Sequence, residues 1–339
     1  MVNRELIRIK IVQLTYAYYQ NGGRNMDVAE KELLFSLSKA YHLYNHLLAL
    51  IVAVSDEARK HYDTECSKAT REHLEMPSSK FVDNSFALIL AGNEQLSTFR
   101  NEQKTSWNDD IDFVRKLYNQ IVNSQTYKDY MESGESSFEE DRELWRKLYR
   151  TLVMDNDELD AVLEEKSLYW NDDKEIVDTF VLKTIKRFDE KNMEEQVLLP
   201  MYDKEEDHQF AIGLFRETLH RGPELRQLIR ENAKNWDFNR IALMDLVITQ
   251  TALAEVLTFD SIPLNITFSE YIDIARCYST PKSYAYVNGM LDGIVKRLRS
   301  EGRTTKERII TKKAHKPNPK REAAAQKADE AQAAEAQAD

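Results

Sequence analysis

The sequence predicts an almost entirely α-helical protein, on three observations. Only nine glycines and seven prolines occur in 339 residues, well under the ordinary usage of roughly 7% and 5%, and hairpin turns and phosphate-cradling loops both draw on glycine. Apolar residues recur at three- and four-residue spacings through the clearest segments. The chain is 42% hydrophobic, enough for a sizeable core, and its length allows about two domains.

The first element runs from Arg4 to Gln20. Ile7, Ile11, Leu14 and Tyr18 follow helical spacing, and Ile9, Val12, Tyr16 and Tyr19 fill much of the remaining circumference, so this helix is buried on most sides. Arg4, Arg8 and Thr15 fall in one narrow polar stripe and Lys10, Gln13 and Ala17 in another. Asn21-Gly22-Gly23-Arg24-Asn25 is a loop, and a second long helix runs from about Asp27 to His61. Between Ser67 and Pro200 the pattern is patchier, with helical segments near 80–91, 109–130, 138–153, 156–169 and 173–190. Glu135 to Glu175 holds 14 Asp/Glu against 6 Lys/Arg, which makes this middle region the seat of the overall negative charge.

After Pro200 three punctuated helices are expected. Asp237 reads as the N-cap of a helix to about Phe259 that carries Ile241, Met244, Val247, Ile248, Thr251 and Val256. Pro263 breaks it, and Thr267-Phe268-Ser269-Glu270 has the capping-box spelling for a helix bearing Tyr271, Ile274 and Tyr278. Thr280-Pro281 then opens a helix with Tyr284, Val287, Leu291, Ile294 and Leu298 on one side. Short helices with tight connections describe a compact orthogonal bundle. From Arg303 to Arg321 the chain turns basic, with 8 Lys/Arg against 1 Asp/Glu, and Glu322 to Asp339 is Ala/Glu/Gln low complexity. This tail reads as disordered or fraying, with a basic patch suited to phosphates.

Cys66 and Cys277 are far apart and belong to no CxxC pair, so they read as reduced thiols. The longest aliphatic runs, such as Leu47 to Val54, are too short to cross a bilayer, and no signal pattern opens the chain. A cytoplasmic protein without membrane association is expected. The formal net charge of −11 argues against indiscriminate attraction to nucleic acid, so the distribution of charge matters more than its sum.

Asn288-Gly289 is the oddest local feature, because Asn-Gly normally marks a hairpin yet sits here inside an unbroken helical pattern. A mid-helix glycine costs about 1 kcal/mol relative to alanine. Either tight helix packing or an approaching ligand would account for it.

The residues around it spell a family. Ile262-Pro263, Phe268-Ser269-Glu270-Tyr271-Ile272-Asp273-Ile274-Ala275-Arg276 and Ser283-Tyr284-Ala285-Tyr286-Val287-Asn288-Gly289-Met290-Leu291-Asp292 resemble the C-terminal signature of the NusB transcription antitermination factors. Trp236, Arg240, Asp245 and Ala252-Leu253-Ala254-Glu255 resemble the preceding helix of that family, and Arg4, Arg8, Val12-Gln13 and Tyr16 resemble its arginine-bearing first helix. The likeness covers about 1–60 and 203–300. It resembles an extended, Bacteroidetes-type form, divided as N-terminal NusB-like helices 1–66, an acidic helical insertion 67–202, a C-terminal NusB-like subdomain 203–302 and a tail 303–339.

The resemblance implies an all-α, NusB-like orthogonal helical bundle with a large helical insertion. It implies binding of boxA-type single-stranded RNA jointly with the small-subunit ribosomal protein that acts as NusE. That complex would reach RNA polymerase with other Nus factors during ribosomal RNA transcription. Arg4, Arg8, Lys10, Lys282, Ser283 and Tyr286 would serve the RNA, and Tyr16 and Asp245 would lie toward the ribosomal protein. Arginine suits phosphate and an aromatic ring suits an unpaired base. Glu5 interrupts the usual run of arginines, and Lys282 stands where some members carry an acidic residue.

Catalytic and metal readings fare poorly. Asn108-Asp109-Asp110-Ile111-Asp112 and Asn171-Asp172-Asp173-Lys174-Glu175 lack the one-turn carboxylate spacing of a Mg²⁺ diphosphate site, since Phe113 and Ile176 stand where the third aspartate belongs. Those clusters read as helix caps. His42 and His46 have no obvious third ligand, and Leu43 replaces the glutamate of a zinc-protease motif. Asp155-Asn156-Asp157-Glu158-Leu159 lacks the glycine of a calcium loop. No enzyme, cofactor or metal is expected. The competing expectation is a NusB-fold protein–protein scaffold that does not bind RNA.

Overall fold

The computed structural model describes residues 1–306 apart from 24, 103–105, 135–136, 193–194 and 234–240. Among the described residues the regular elements are helices, with one isolated parallel bridge between Val2 and Tyr202. They are α1 Arg4–Gln20, α2 Met26–Glu72, α3 Ser85–Gly92, α4 Glu94–Glu102, α5 Ile111–Asn123, α6 Gln125–Glu132 and α7 Phe138–Leu148. Then come α8 Asp157–Lys166, α9 Lys174–Arg187, α10 Glu205–His220, α11 Gly222–Asn232, α12 Leu243–Thr258, α13 Leu264–Tyr278 and α14 Ser283–Ser300. A 3₁₀ turn at Trp107–Asp110 leads into α5, and a π turn at Tyr149–Val153 ends α7. The chain is all-α, as its glycine and proline scarcity predicts.

Two compact units emerge, Met1–Val2 with Ser36–Asp203, and Asn3–Phe35 with the chain from Lys204. The boundary falls inside α2, so the first unit takes its longest helix from residues that read as N-terminal. Tyr44 of α2 is fully buried and shares a 2.6 Å hydrogen bond with Thr184 of α9, while Leu199 N donates to the same phenol at 3.2 Å. Two indoles clamp α2 further: Trp107 donates to the His46 carbonyl and Trp170 to the Lys39 carbonyl. Asp141 ties three helices together by accepting from Ser85 N, Ser85 Oγ and Tyr130 Oη. A cleft of about 600 Å³ runs along α2, lined by Ala49, Ala53, Arg59, Arg100 and Trp107 among others.

The acidic clusters of this unit cap helices only in part: Asp110 at the start of α5 and Asp173 at the start of α9 make no side-chain cap bond. Ser106 and Asp109 form a reciprocal capping box, and Asp110 pairs with Lys166 at 2.5 Å. Asn156 caps α8 through Glu158 N and Leu159 N. The expected segment 109–130 is two helices, because Ser124 ends α5 in extended conformation and caps α6.

The second unit is built around α12. Its residues Asp245 to Val256 are buried without interruption, which is the mark of a helix enclosed on all sides. Against it pack Leu6, Ile7, Ile11 and Val12 of α1, Phe210 and Leu214 of α10, Phe268 and Tyr271 of α13, and Leu291 and Ile294 of α14. Three details depart from expectation. Helices α10 and α11 stand before the three expected ones, as additional members of the unit. The α12 helix begins at Leu243, and the expected cap Asp237 lies outside the described residues. The α13 helix begins at Leu264 after Pro263, because the Thr267 hydroxyl does not cap but turns inward and donates to Glu255 at 2.7 Å.

Candidate nucleic-acid interface

The expected RNA-facing residues of α1 take three different positions. Arg8 is 2% exposed, and its guanidinium grips Glu255 of α12 with two hydrogen bonds, Nε to Oε2 at 2.7 Å and Nη2 to Oε1 at 3.1 Å. Its Nη1 reaches Glu270 at 3.4 Å. Thr267 and Tyr271 also donate to Glu255, so this carboxylate is saturated and the arginine is part of the core. Lys10 is likewise buried at 4% exposure. Arg4 alone of the three is open: its Nε donates to Asp207 at 3.0 Å, its plane lies 5.0 Å from the Phe210 ring, and its side chain keeps 38% exposure.

Tyr16 is half-buried and its phenol accepts from Gln20 at 2.9 Å. Asp245 is enclosed at the start of α12, where it accepts from Ser279 Oγ at 2.6 Å and Ser283 Oγ at 2.9 Å. The aspartate therefore fixes where α14 begins. Ser283, 2% exposed, faces this aspartate rather than solvent.

The start of α14 leaves Tyr284 and Ala285 exposed and, on another side, one line of the expected residues. Lys282 and Gly289 are exposed and Tyr286 is half-buried, and their spacing of i, i+4, i+7 stacks them along one side of the helix. A Cβ built on Gly289 would meet nothing within 4 Å among the described residues. Among the described residues, then, nothing packs against Gly289 to account for Asn288-Gly289, and its backbone is uncovered there. Burial, with the nearby Asp245 charge, pushes the Tyr286 phenol up to about 12, so it stays protonated and neutral. Tyr284, 41% exposed, lies on a different side of the helix from Tyr286, with its ring under the Arg276 guanidinium at 5.1 Å.

The expected site residues thus fall at two ends of α12. Lys282, Ser283 and Tyr286 gather near Asp245, and Arg4 and Arg8 near Glu255. Those anchors stand ten residues apart on one helix, or about 15 Å at 1.5 Å per residue. An extended strand could touch both ends; a single nucleotide could not.

The remaining candidates carry no comparable surface. His46 is buried with its ring stacked on Trp107 at 4.3 Å and on Trp170 at 5.3 Å, and burial lowers its pKa to about 3. No cluster of metal-ligating side chains occurs among the described residues. No helix there is long and apolar enough to cross a membrane.

Comparison with known proteins points the same way. The model of the NusB family matches residues 176–296, a stretch that begins inside α9, within the expected insertion 67–202, takes in α10 to α13 and most of α14, and does not include α1. A transcription antitermination protein NusB from Salinibacter ruber is 38% identical over 110 residues, 32% of this chain and 69% of the relative. One from Koribacter versatilis is 36% identical over 98 residues, 29% of this chain and 67% of the relative. No solved structure matches. With more than two thirds of the Salinibacter protein covered at that identity, and with the family model matching residues 176–296, the chain belongs to the NusB family.

Proposed function

We propose that this protein is a cytoplasmic transcription antitermination factor that holds boxA-type single-stranded RNA together with the ribosomal protein NusE. In this reading the complex reaches RNA polymerase with other Nus factors during ribosomal RNA transcription. The observation that carries it is the α14 face, where a lysine, a neutral tyrosine ring and an uncovered glycine lie in one line. A cation suits phosphate, a ring suits an unstacked base, and a glycine lets a ligand come close to the helix backbone. Arg4 supplies a second phosphate contact at the other end of α12.

Arg8, Lys10, Asp245 and Ser283 act from behind this surface. Arg8 and Asp245 hold α1 and α14 in register on α12. Tyr16 remains the α1 residue available to the ribosomal protein.

The test is binding of a fluorescent boxA-containing RNA and a scrambled control, with and without the ribosomal protein, at two salt concentrations. Sequence-preferring binding that tightens with the partner supports the assignment. Equal binding of both RNAs with no partner effect refutes it and leaves a protein-only scaffold.

A further inference from the structure

The long helix α2 carries a stripe that the RNA assignment does not use. His46, Ala49, Ala53, Asp56 and Lys60 follow one another at three- and four-residue spacing, and all five line the cleft of about 600 Å³. Helix α4 adds Phe99 and Arg100 to its lining, and the 3₁₀ turn adds Trp107. That volume lies within the roughly 300–1,000 Å³ of ordinary small-molecule sites. Every one of these residues belongs to the first compact unit.

One end of the stripe is neutral and fixed. His46 is 2% exposed, its ring is stacked on Trp107 and Trp170, and Trp107 Nε1 donates to its carbonyl at 2.8 Å. Yet His46 Nε2 is buried without a hydrogen-bond partner among the described residues. A buried ring nitrogen is costly to leave unpaired, and a ring clamped by two indoles is not free to swing toward solvent. Phe99 stands at the same end, its ring 5.9 Å from that of His42, one turn before His46. With Ala49 and Ala53 it gives this part of the cleft an apolar wall.

The other end is cationic. Arg100 meets Asp56 at 3.4 Å, and Asp56 stands ten residues beyond His46 on α2, or about 15 Å along the helix. Arg59 donates to the Val82 carbonyl at 2.6 Å and to Asp83 at 2.9 Å, and Lys60 pairs with Glu57 at 3.6 Å. Among the described residues both guanidinium groups hydrogen-bond through Nη2 alone, which leaves further N–H groups on each for a ligand. Arg59, Lys60 and Arg100 against Asp56 give this lining a positive balance in a chain whose net charge is −11.

We propose that this cleft binds a nucleoside phosphate, with the base toward His46 and the phosphates toward Arg100, Arg59 and Lys60. A sugar phosphate would strand its hydroxyls against Ala49, Ala53 and Phe99, and an inorganic anion would leave the His46 end unfilled. A heteroaromatic base meets both demands. Its flat faces suit the apolar wall, and its edge carries both donors and acceptors, one of which matches Nε2 whichever tautomer His46 adopts. The guanidinium groups suit the phosphates. The proposal is independent of the RNA assignment, whose residues lie in the other compact unit.

The experiment titrates the full chain with ADP, GDP, CDP and UDP by isothermal titration calorimetry, beside the parent nucleosides and pyrophosphate. At least one diphosphate should bind with a dissociation constant below about 1 mM, the upper end of ordinary substrate affinity. It should bind about tenfold or more tighter than its nucleoside or pyrophosphate. Lys60→Gln combined with Arg100→Gln, both at exposed positions, should weaken that diphosphate by about tenfold and its nucleoside hardly at all. His46→Phe, which keeps a ring against the indoles, should weaken nucleoside and diphosphate by the same factor. The charge variant decides the question even if His46→Phe fails to fold. Absence of saturable binding by all four diphosphates overturns the site, as does equal binding of pyrophosphate or full affinity in the Lys60/Arg100 variant. Loss of nucleotide binding in Tyr286→Ala, with full retention in the cleft variants, would put the nucleotide on the α14 face and also overturns it.

Discussion

Arg8 and Glu255 form a buried, two-pronged ion pair between the first helix and the central helix of the NusB-like unit, with both side chains at 3% exposure or less. Thr267 and Tyr271 complete the shell around the carboxylate. A pair this enclosed cannot turn to an RNA phosphate without stranding Glu255.

Arg8→Ala is therefore a stability variant before it is a binding variant. Removing one partner of a buried pair leaves an uncompensated charge, at a cost of about 3–5 kcal/mol. Urea unfolding should show that loss. Arg4→Gln, which gives up only the partly exposed pair with Asp207, should lower the unfolding free energy by about 1 kcal/mol at most while weakening RNA binding. Equal midpoints for Arg8→Ala and the parent would return Arg8 to the interface.

Gly289→Ala should separate stability from binding. The position is helical and exposed, and nothing described lies within 4 Å of the added carbon. Alanine should stabilise the helix by up to about 1 kcal/mol. If RNA approaches this backbone, the same methyl group should weaken boxA binding severalfold, so the thermal midpoint rises as affinity falls. A rise in both would show that the glycine serves no ligand.

How far the sequence discloses this arrangement depends on how local the cause is. The apolar stripes of α1 and α14 are periodic, and both helices appear within a few residues of their expected bounds. The α12 helix is buried all round, so its periodicity is weak and does not mark its start at Leu243. The Thr267 spelling misleads because the competing acceptor, Glu255, belongs to the preceding helix. Arg8 shows the limit most clearly. A charged residue near a helix start reads as a surface group, and the partner that buries it stands 247 positions away.

The other compact unit contains two groups whose titrations oppose one another. Burial raises Asp178 to about 6 despite Lys174 and Tyr149 at its oxygens, so its contribution to stability is full below the ordinary carboxylate pKa near 4 and is lost as pH rises through about 6. Burial lowers His46 to about 3, so its contribution is full above about 6.5 and is lost as pH falls through that range. Half-buried His42 shifts the same way as His46, through burial and the Lys39 charge. Between pH 4 and 6 each of the two main groups changes stability by up to about 1.4 kcal/mol per pH unit, with opposite sign. His46→Phe, which keeps a ring between the indoles, should leave stability falling with pH over that range. Asp178→Asn should leave it rising. Parallel pH profiles of the unfolding midpoint for both variants would mean that neither group titrates as its surroundings dictate.

Tyr286 and Lys282 should fail in different ways, and the difference identifies what each one touches. If a base stacks on the half-buried ring, Tyr286→Ala costs about 1–3 kcal/mol of RNA binding. That loss should be nearly the same at 50 and 200 mM salt, because stacking releases no counterions. Tyr286→Phe should retain most of the affinity, since the ring and not the phenol makes the contact. Lys282→Gln removes one exposed cation and should flatten the salt slope by about 0.7, the contribution of one single-strand phosphate. Its loss of affinity should shrink as salt rises. Isothermal titration or fluorescence anisotropy at the two salts reads both effects, with circular dichroism confirming that α14 is intact. A salt-dependent loss in Tyr286→Ala together with a salt-independent one in Lys282→Gln would exchange the two roles. If neither variant changed binding while Arg4→Gln abolished it, the RNA would lie wholly at the Glu255 end of α12.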